Sequence, residues 1–173
     1  IIAERKAALE SGEAEKSTSK RSMNFLDLML SKTESNVFSE EDLRQEVDTF
    51  MFGGHDTTTT SCSWSCWNLA HNPDVQQKVY EELVEVCGED PNEDITYEQA
   101  NQLNYLDRVL RESKRIIAPV PAKFSILNEK VMIAHLVRNY RIEPMLKFDE
   151  SLPCFEAVSK PSRGIPVKLT KRI

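Results

Sequence analysis

Phe52-Gly53-Gly54-His55-Asp56-Thr57-Thr58-Thr59-Thr60 is the stretch on which the reading of this 173-residue chain turns. Two glycines and four β-branched threonines are poor helix formers. Yet apolar residues stand at helical spacing on both sides: Leu43, Val47, Phe50 and Met51 before, Trp64, Trp67 and Leu69 after. Ser39-Glu40-Glu41-Asp42 supplies an N-cap serine and acids in the first turn, so one long helix is predicted from there to about His71. Apolar over much of its circumference, that helix is expected to be buried. Its middle admits two readings. In one, the glycines leave room for a small ligand to approach the backbone, with Asp56 and Thr57 supplying a carboxylate and a hydroxyl suited to moving protons. In the other, Gly53-Gly54 breaks the helix in two and Asp56 caps the second piece. Composition does not choose between them.

Outward from this stretch the chain reads as mostly helical. Asn72-Pro73 stops the long helix and starts another, with Asn72 as N-cap and Pro73 at the first helical position. That helix runs to Cys87 and ends at Gly88. Thr96-Tyr97-Glu98-Gln99 is a capping box. Leu103, Leu106 and Leu110 carry the period into a helix ending near Ile117, before Pro119 and Pro121. Leu127, Val131, Ala134 and Val137 mark one more. The tail predicts strands: Glu156 to Ser159, a turn at Pro161-Ser162-Arg163-Gly164, then Val167 and Leu169 alternating with Lys168 and Thr170. Toward the front, Phe25, Leu26, Met29 and Leu30 make a short amphipathic helix, Ser11 to Ser22 reads as a polar linker, and Ile1 to Glu10 as the end of a helix. Opening on Ile1-Ile2-Ala3 in mid-helix, the sequence reads as part of a longer chain. The expected class is mainly α with a small C-terminal β element.

Composition narrows the functions. Twenty-two Lys plus Arg against 28 Asp plus Glu leave a net charge of −6, which argues against nucleic acid as partner. No apolar run approaches the roughly 20 residues that span a bilayer, and no signal peptide is evident. Cys62, Cys66, Cys87 and Cys154 have neither disulfide-framework nor zinc-site spacing, so reduced thiols are expected. Cys62 and Cys66 share a helix face, where small buried side chains explain them better than a metal. His55, His71 and His135 are scattered. Glu112-Ser113-Lys114-Arg115 places an acid and a base three apart, an ion pair on one helix face; Glu41 and Arg44 have the same spacing, and the residues alone favour a solvated surface pair for either.

Taken in order, these pieces resemble the second half of a cytochrome P450. Glu46 through Thr58 resembles the oxygen-binding centre of the family's long I helix, in a region (23–71) that would hold the H and I helices. Asn72-Pro73-Asp74-Val75-Gln76-Gln77-Lys78 with Glu81-Glu82 is similar to the J helix. Leu106 through Arg115 is similar to the K helix with its Glu-x-x-Arg pair, Glu112 and Arg115, and Pro119-Val120-Pro121 to the turn after it (72–121). Leu127 through Ile142 looks like the L helix and the strand beyond (126–173). The wording is nearest the family-4 group, whose members hydroxylate fatty acids and related lipids.

The resemblance implies a P450-like helical domain, present in part, that binds haem, takes electrons from a P450 reductase, acts on a lipid-like substrate and works at the cytosolic face of the endoplasmic reticulum membrane. Gly53 and Gly54 would flank the groove where dioxygen sits over the iron. Asp56 and Thr57 would help deliver protons to the iron-bound oxygen. Glu112 and Arg115 would be a buried structural pair packing the haem-binding core. Two departures matter. Many family-4 members carry Glu where Gly53 stands and esterify it to the haem, which Gly53 excludes. The family's Phe-x-x-Gly-x-Arg-x-Cys-x-Gly loop, which supplies the axial cysteine, has no counterpart: Ala122-Lys123-Phe124-Ser125 runs straight into Ile126-Leu127-Asn128-Glu129. Cys87 comes nearest, with Glu85 where the Arg belongs and Leu83 where the Gly belongs. No residue is therefore assigned as metal ligand. Two functions remain: a P450 monooxygenase by lineage, inactive as written, or a non-catalytic helical module that binds a partner or lipid through an uncovered apolar face.

Overall fold

The computed structural model describes residues 2–10, 25–34, 39–117, 123–155 and 159–172. In chain order these form α1 (Ile2–Glu10), α2 (Phe25–Glu34), α3 (Glu40–His71), α4 (Pro73–Cys87), α5 (Tyr97–Gln102), α6 (Asn104–Ile117), α7 (Lys123–Asn139), β1 (Tyr140–Pro144), a 3-10 turn (Phe148–Glu150), β2 (Pro153–Phe155), β3 (Ser159–Pro161) and β4 (Val167–Lys171). The chain divides into two compact units, Ile1–Gly54 and His55–Ile173. The mainly α class with a small C-terminal β element holds. The predicted linker from Ser11 and the turn at Pro119-Val120-Pro121 lie outside the described residues.

The first unit packs α1, α2 and the opening turns of α3. Met29, Leu30 and Leu43 form its core, with Ile2, Leu26 and Val47 against it. Asp27, 5% exposed, takes both Arg5 nitrogens at 2.7 and 2.8 Å, the two-point geometry that gives an Arg–carboxylate pair its strength. α3 starts as expected: the Asp42 N–H donates to Ser39 Oγ and the Ser39 N–H donates back to Asp42 Oδ2.

The second unit carries the main core. Leu69, Val79, Leu83, Leu103, Leu106, Leu110, Ile133, Ala134 and Val137 are buried together, contributed by α3 to α7. Val79 and Leu83, Leu106 and Leu110, and Ile133 and Val137 stand four apart on α4, α6 and α7, so each of these helices turns one stripe inward. Thr96 and Gln99 make both bonds of the capping box, at 3.2 and 2.9 Å. Asn72 occupies the N-cap of α4 but makes no capping bond; its amide donates back to Asn68 O at 2.7 Å. Gly88 closes α4 at φ +80°, a backbone that an L side chain rarely adopts.

α7 begins at Lys123, four residues before the first apolar marker at Leu127. β1 and β4 pair antiparallel with Ile142 opposite Leu169, and β2 pairs with β3, Cys154 opposite Lys160. Of the predicted strand Glu156 to Ser159, Ser159 opens β3 and 156–158 lie outside the described residues. Fully buried Gln76 fixes β1 to the core, donating to Ile142 O at 2.9 Å and accepting from the Ile142 N–H at 2.9 Å.

Candidate functional site

α3 runs unbroken through Gly53 and Gly54, so the reading in which they split it and Asp56 caps a second helix is overturned. The ladder holds because apolar spacing on either side anchors both ends, outweighing the ~1 kcal/mol that each glycine costs relative to Ala. The expectation that the whole helix is buried holds for its second half and for Leu43 near its start, but not for the turns before the glycines. Trp64, Ser65, Trp67, Leu69 and Ala70 are buried, whereas Phe50, Met51 and Phe52 are more than half exposed. The glycines are exposed too, and a Cβ built on either would meet nothing within 4 Å.

Asp56 lies on the same helix, and its Oδ2 is 2.9 Å from the Lys160 ammonium on β3. His55 Nδ1 stands 3.3 Å from the other carboxylate oxygen. The hydrogen bond from Lys160, then that from His55, holds the Asp56 carboxyl below the usual carboxylate range against a weaker opposing effect of burial. At neutral pH Asp56 is thus an ionised, paired group. Moving a proton through it requires leaving Lys160 or relaying through the lysine or the histidine. Thr57, one residue on, is exposed.

Glu112 and Arg115 form the pair that their spacing predicts, Nε and Nη2 of Arg115 donating to the two carboxylate oxygens at 2.9 and 2.6 Å. The pair is not buried: the side chains are 60% and 72% exposed. Two residues three apart on one helix reach each other without help from any other element. The bond forms on α6 alone, and burial would need a covering segment that the described residues do not supply. The hydrogen bond from Arg115 lowers the Glu112 pKa, and Glu112 raises that of Arg115.

A haem–thiolate site needs an ionised sulfur facing open space. Burial pushes Cys62 up to about 11 and Cys66 up to about 12, and both sit on α3 with the glycines. Cys87 is 4% exposed inside the main core, and burial raises it as well. Cys154 is exposed on β2. The three cysteines on α3 and α4 do not fit the group, and Cys154, though exposed, has Leu152 where the loop's Arg belongs and Glu150 where its Gly belongs. Among the described residues no cluster of three or more His, Cys, Asp or Glu side chains could hold a metal ion.

A second polar centre is fully buried, and sequence reasoning passed over it. Glu129 of α7 is 1% exposed and accepts from Ser61 Oγ at 3.0 Å and Ser65 Oγ at 2.8 Å, both on α3. Lys114 of α6, 10% exposed, brings its ammonium to 2.5 Å from the other carboxylate oxygen. Among the described residues the ammonium makes no directed hydrogen bond, so charge attraction holds it there. One clue was available: Ser61 and Ser65 occupy successive turns of a helix face that otherwise carries Trp64 and Leu69. Among the described residues, no helix is long and apolar enough to cross a membrane.

Residues 1–143 match the family model described as cytochrome P450. The chain is 49% identical over 107 residues to cytochrome P450 4V2 of Mus musculus, covering 61% of this chain and 20% of that protein. It is 41% identical over 144 residues to cytochrome P450 4V2 of Pongo abelii, covering 82% and 26%. With cytochrome P450 4d1 of Drosophila melanogaster it shares 36% over 140 residues, 76% and 27% of the two chains. It therefore spans about a quarter of the length of the curated relatives it matches.

Proposed function

This chain belongs to the cytochrome P450 family, and from that premise we propose that it is the oxygen-side half of a family-4-type haem monooxygenase without the iron's axial cysteine. Its relatives point to the family-4 type. The observation that carries the reading is an uninterrupted α3 on which a Cβ at Gly53 or Gly54 would meet nothing within 4 Å, with Asp56 and Thr57 one turn on, in a chain whose cysteines lack the loop of a thiolate ligand. The parent activity would be hydroxylation of a lipid-like substrate, with electrons from a P450 reductase, at the cytosolic face of the endoplasmic reticulum. Glu112 and Arg115 serve as a structural pair on α6. The chain as written does not turn over.

The test is spectroscopic. The full chain is expressed with added haem, reduced under carbon monoxide and scanned. No Soret band at the position of thiolate-ligated iron is expected; such a band would overturn the reading. A second reading, a non-catalytic helical module, draws on the exposed Phe50-Met51-Phe52 run in the first unit. Monomer behaviour in sedimentation and no retention on lipid vesicles would remove it.

A further inference from the structure

The second unit holds a cavity of about 420 Å³ between the end of α3, α4 and α6, apart from the glycine stretch. That volume falls within the roughly 300–1,000 Å³ of small-molecule sites. Its walls are Leu69, Val75, Val109, Tyr105 and Phe148, so the interior is apolar. Of the polar groups on its lining, the Asn72 amide is bonded to Asn68 O and Glu112 to Arg115, which leaves Ser113 and Arg108 as the ones to weigh. Ser113 is 5% exposed, yet among the described residues its hydroxyl has no hydrogen-bond partner. Asn68 has an amide Nδ2 shielded from solvent with none either. The Asn68 nitrogen is sealed from the cavity, but the Ser113 hydroxyl keeps accessible surface on its lining, so a ligand there can supply the partner it lacks.

Charge selects the ligand's polar end. Arg108 is exposed at the cavity and has no ion-pair partner among the described residues. Glu112 also lines it, but Arg115 engages both of its oxygens, so that charge is already compensated. The local balance is positive. We propose that this cavity binds a compact organic acid, its apolar body against Leu69, Val75 and Val109 and its carboxylate accepting from Arg108 and Ser113. A charge-assisted bond to Arg108 supplies most of the preference for an acid over a neutral analogue. The site needs no haem, so it stands or falls separately from the monooxygenase reading.

The experiment titrates the full chain with naphthalene-2-carboxylate and, in parallel, with neutral naphthalene-2-methanol, by calorimetry. The acid is expected to bind about tenfold more tightly than the alcohol. Arg108→Met should weaken the acid about tenfold and leave the alcohol unchanged, and Ser113→Ala should weaken the acid several-fold. Arg141→Met, which removes an exposed arginine elsewhere in the same unit, should change neither. Equal binding of the two ligands, an Arg141→Met loss matching that of Arg108→Met, or no saturation by the acid in the millimolar range would each overturn the proposal.

Discussion

Replacing Glu129 with Leu should unfold much of the chain's margin of stability, and Lys114→Met in the same molecule should restore it. Glu129 is 1% exposed and Lys114 10% exposed, so neither charge has water to fall back on. Removing one partner of such a pair leaves the other buried and uncompensated, which costs about 3–5 kcal/mol. The two single variants should not be equal. Without Lys114 the carboxylate still accepts from Ser61 and Ser65, so Lys114→Met belongs near 3 kcal/mol. Without Glu129 the ammonium loses its ion-pair partner among the described residues and both serines lose an acceptor, placing Glu129→Leu near 5 kcal/mol. In the double variant no charge is stranded and only the serines remain unmatched, at roughly 1–2 kcal/mol. Urea unfolding, followed by far-ultraviolet circular dichroism and by fluorescence of the buried Trp64 and Trp67, measures all three. A coupling energy above about 2 kcal/mol is expected. Strict additivity, or a Glu129→Leu cost under about 1 kcal/mol, would refute the view that this pair ties α3, α6 and α7 together.

Ala at Gly53 or Gly54 would add a Cβ that meets nothing within 4 Å, so each change should stabilise the chain by about 0.5–1 kcal/mol. Ala at Gly88, where φ is +80°, should instead cost about 1–2 kcal/mol; thermal melts of the three variants read both signs. Cys154 is exposed while Cys62, Cys66 and Cys87 are buried or partly so and have raised pKa values. An aromatic disulfide reagent at pH 8 should therefore titrate one thiol quickly in the native chain and four in denaturant. Burial pushes the Asp107 carboxyl up, but hydrogen bonds from Arg111 and Lys130 outweigh it and leave the pKa lowered. A carboxyl lowered in the folded state stabilises above its unfolded value of about 3.9 and loses that contribution as pH falls through the folded one. Melting temperature should drop below about pH 4, and less steeply in Lys130→Met.

Sequence alone determined the helices and much of their punctuation, because local chemistry decides both. The capping box at Thr96, the stop at Asn72-Pro73, the left-handed residue at Gly88 and the apolar stripes of α4 and α6 each depend on neighbours a few residues away. The Glu112–Arg115 bond was legible for the same reason, since one helix supplies both partners. What surrounds a side chain is set by segments distant in the chain, and there the tertiary structure decided. It made α3 continuous where two glycines allowed a break, exposed Phe50 to Gly54 where an apolar helix suggested burial, and paired Asp56 with Lys160, 104 residues away. It also drew Ser61, Ser65, Lys114 and Glu129 from three helices into one buried charge centre. The spacing of Ser61 and Ser65 hints at a polar spot on α3, but nothing local to it names Lys114 or Glu129 as the partners. Burial there makes each charge depend on its partner, and that dependence exists only once the helices have packed.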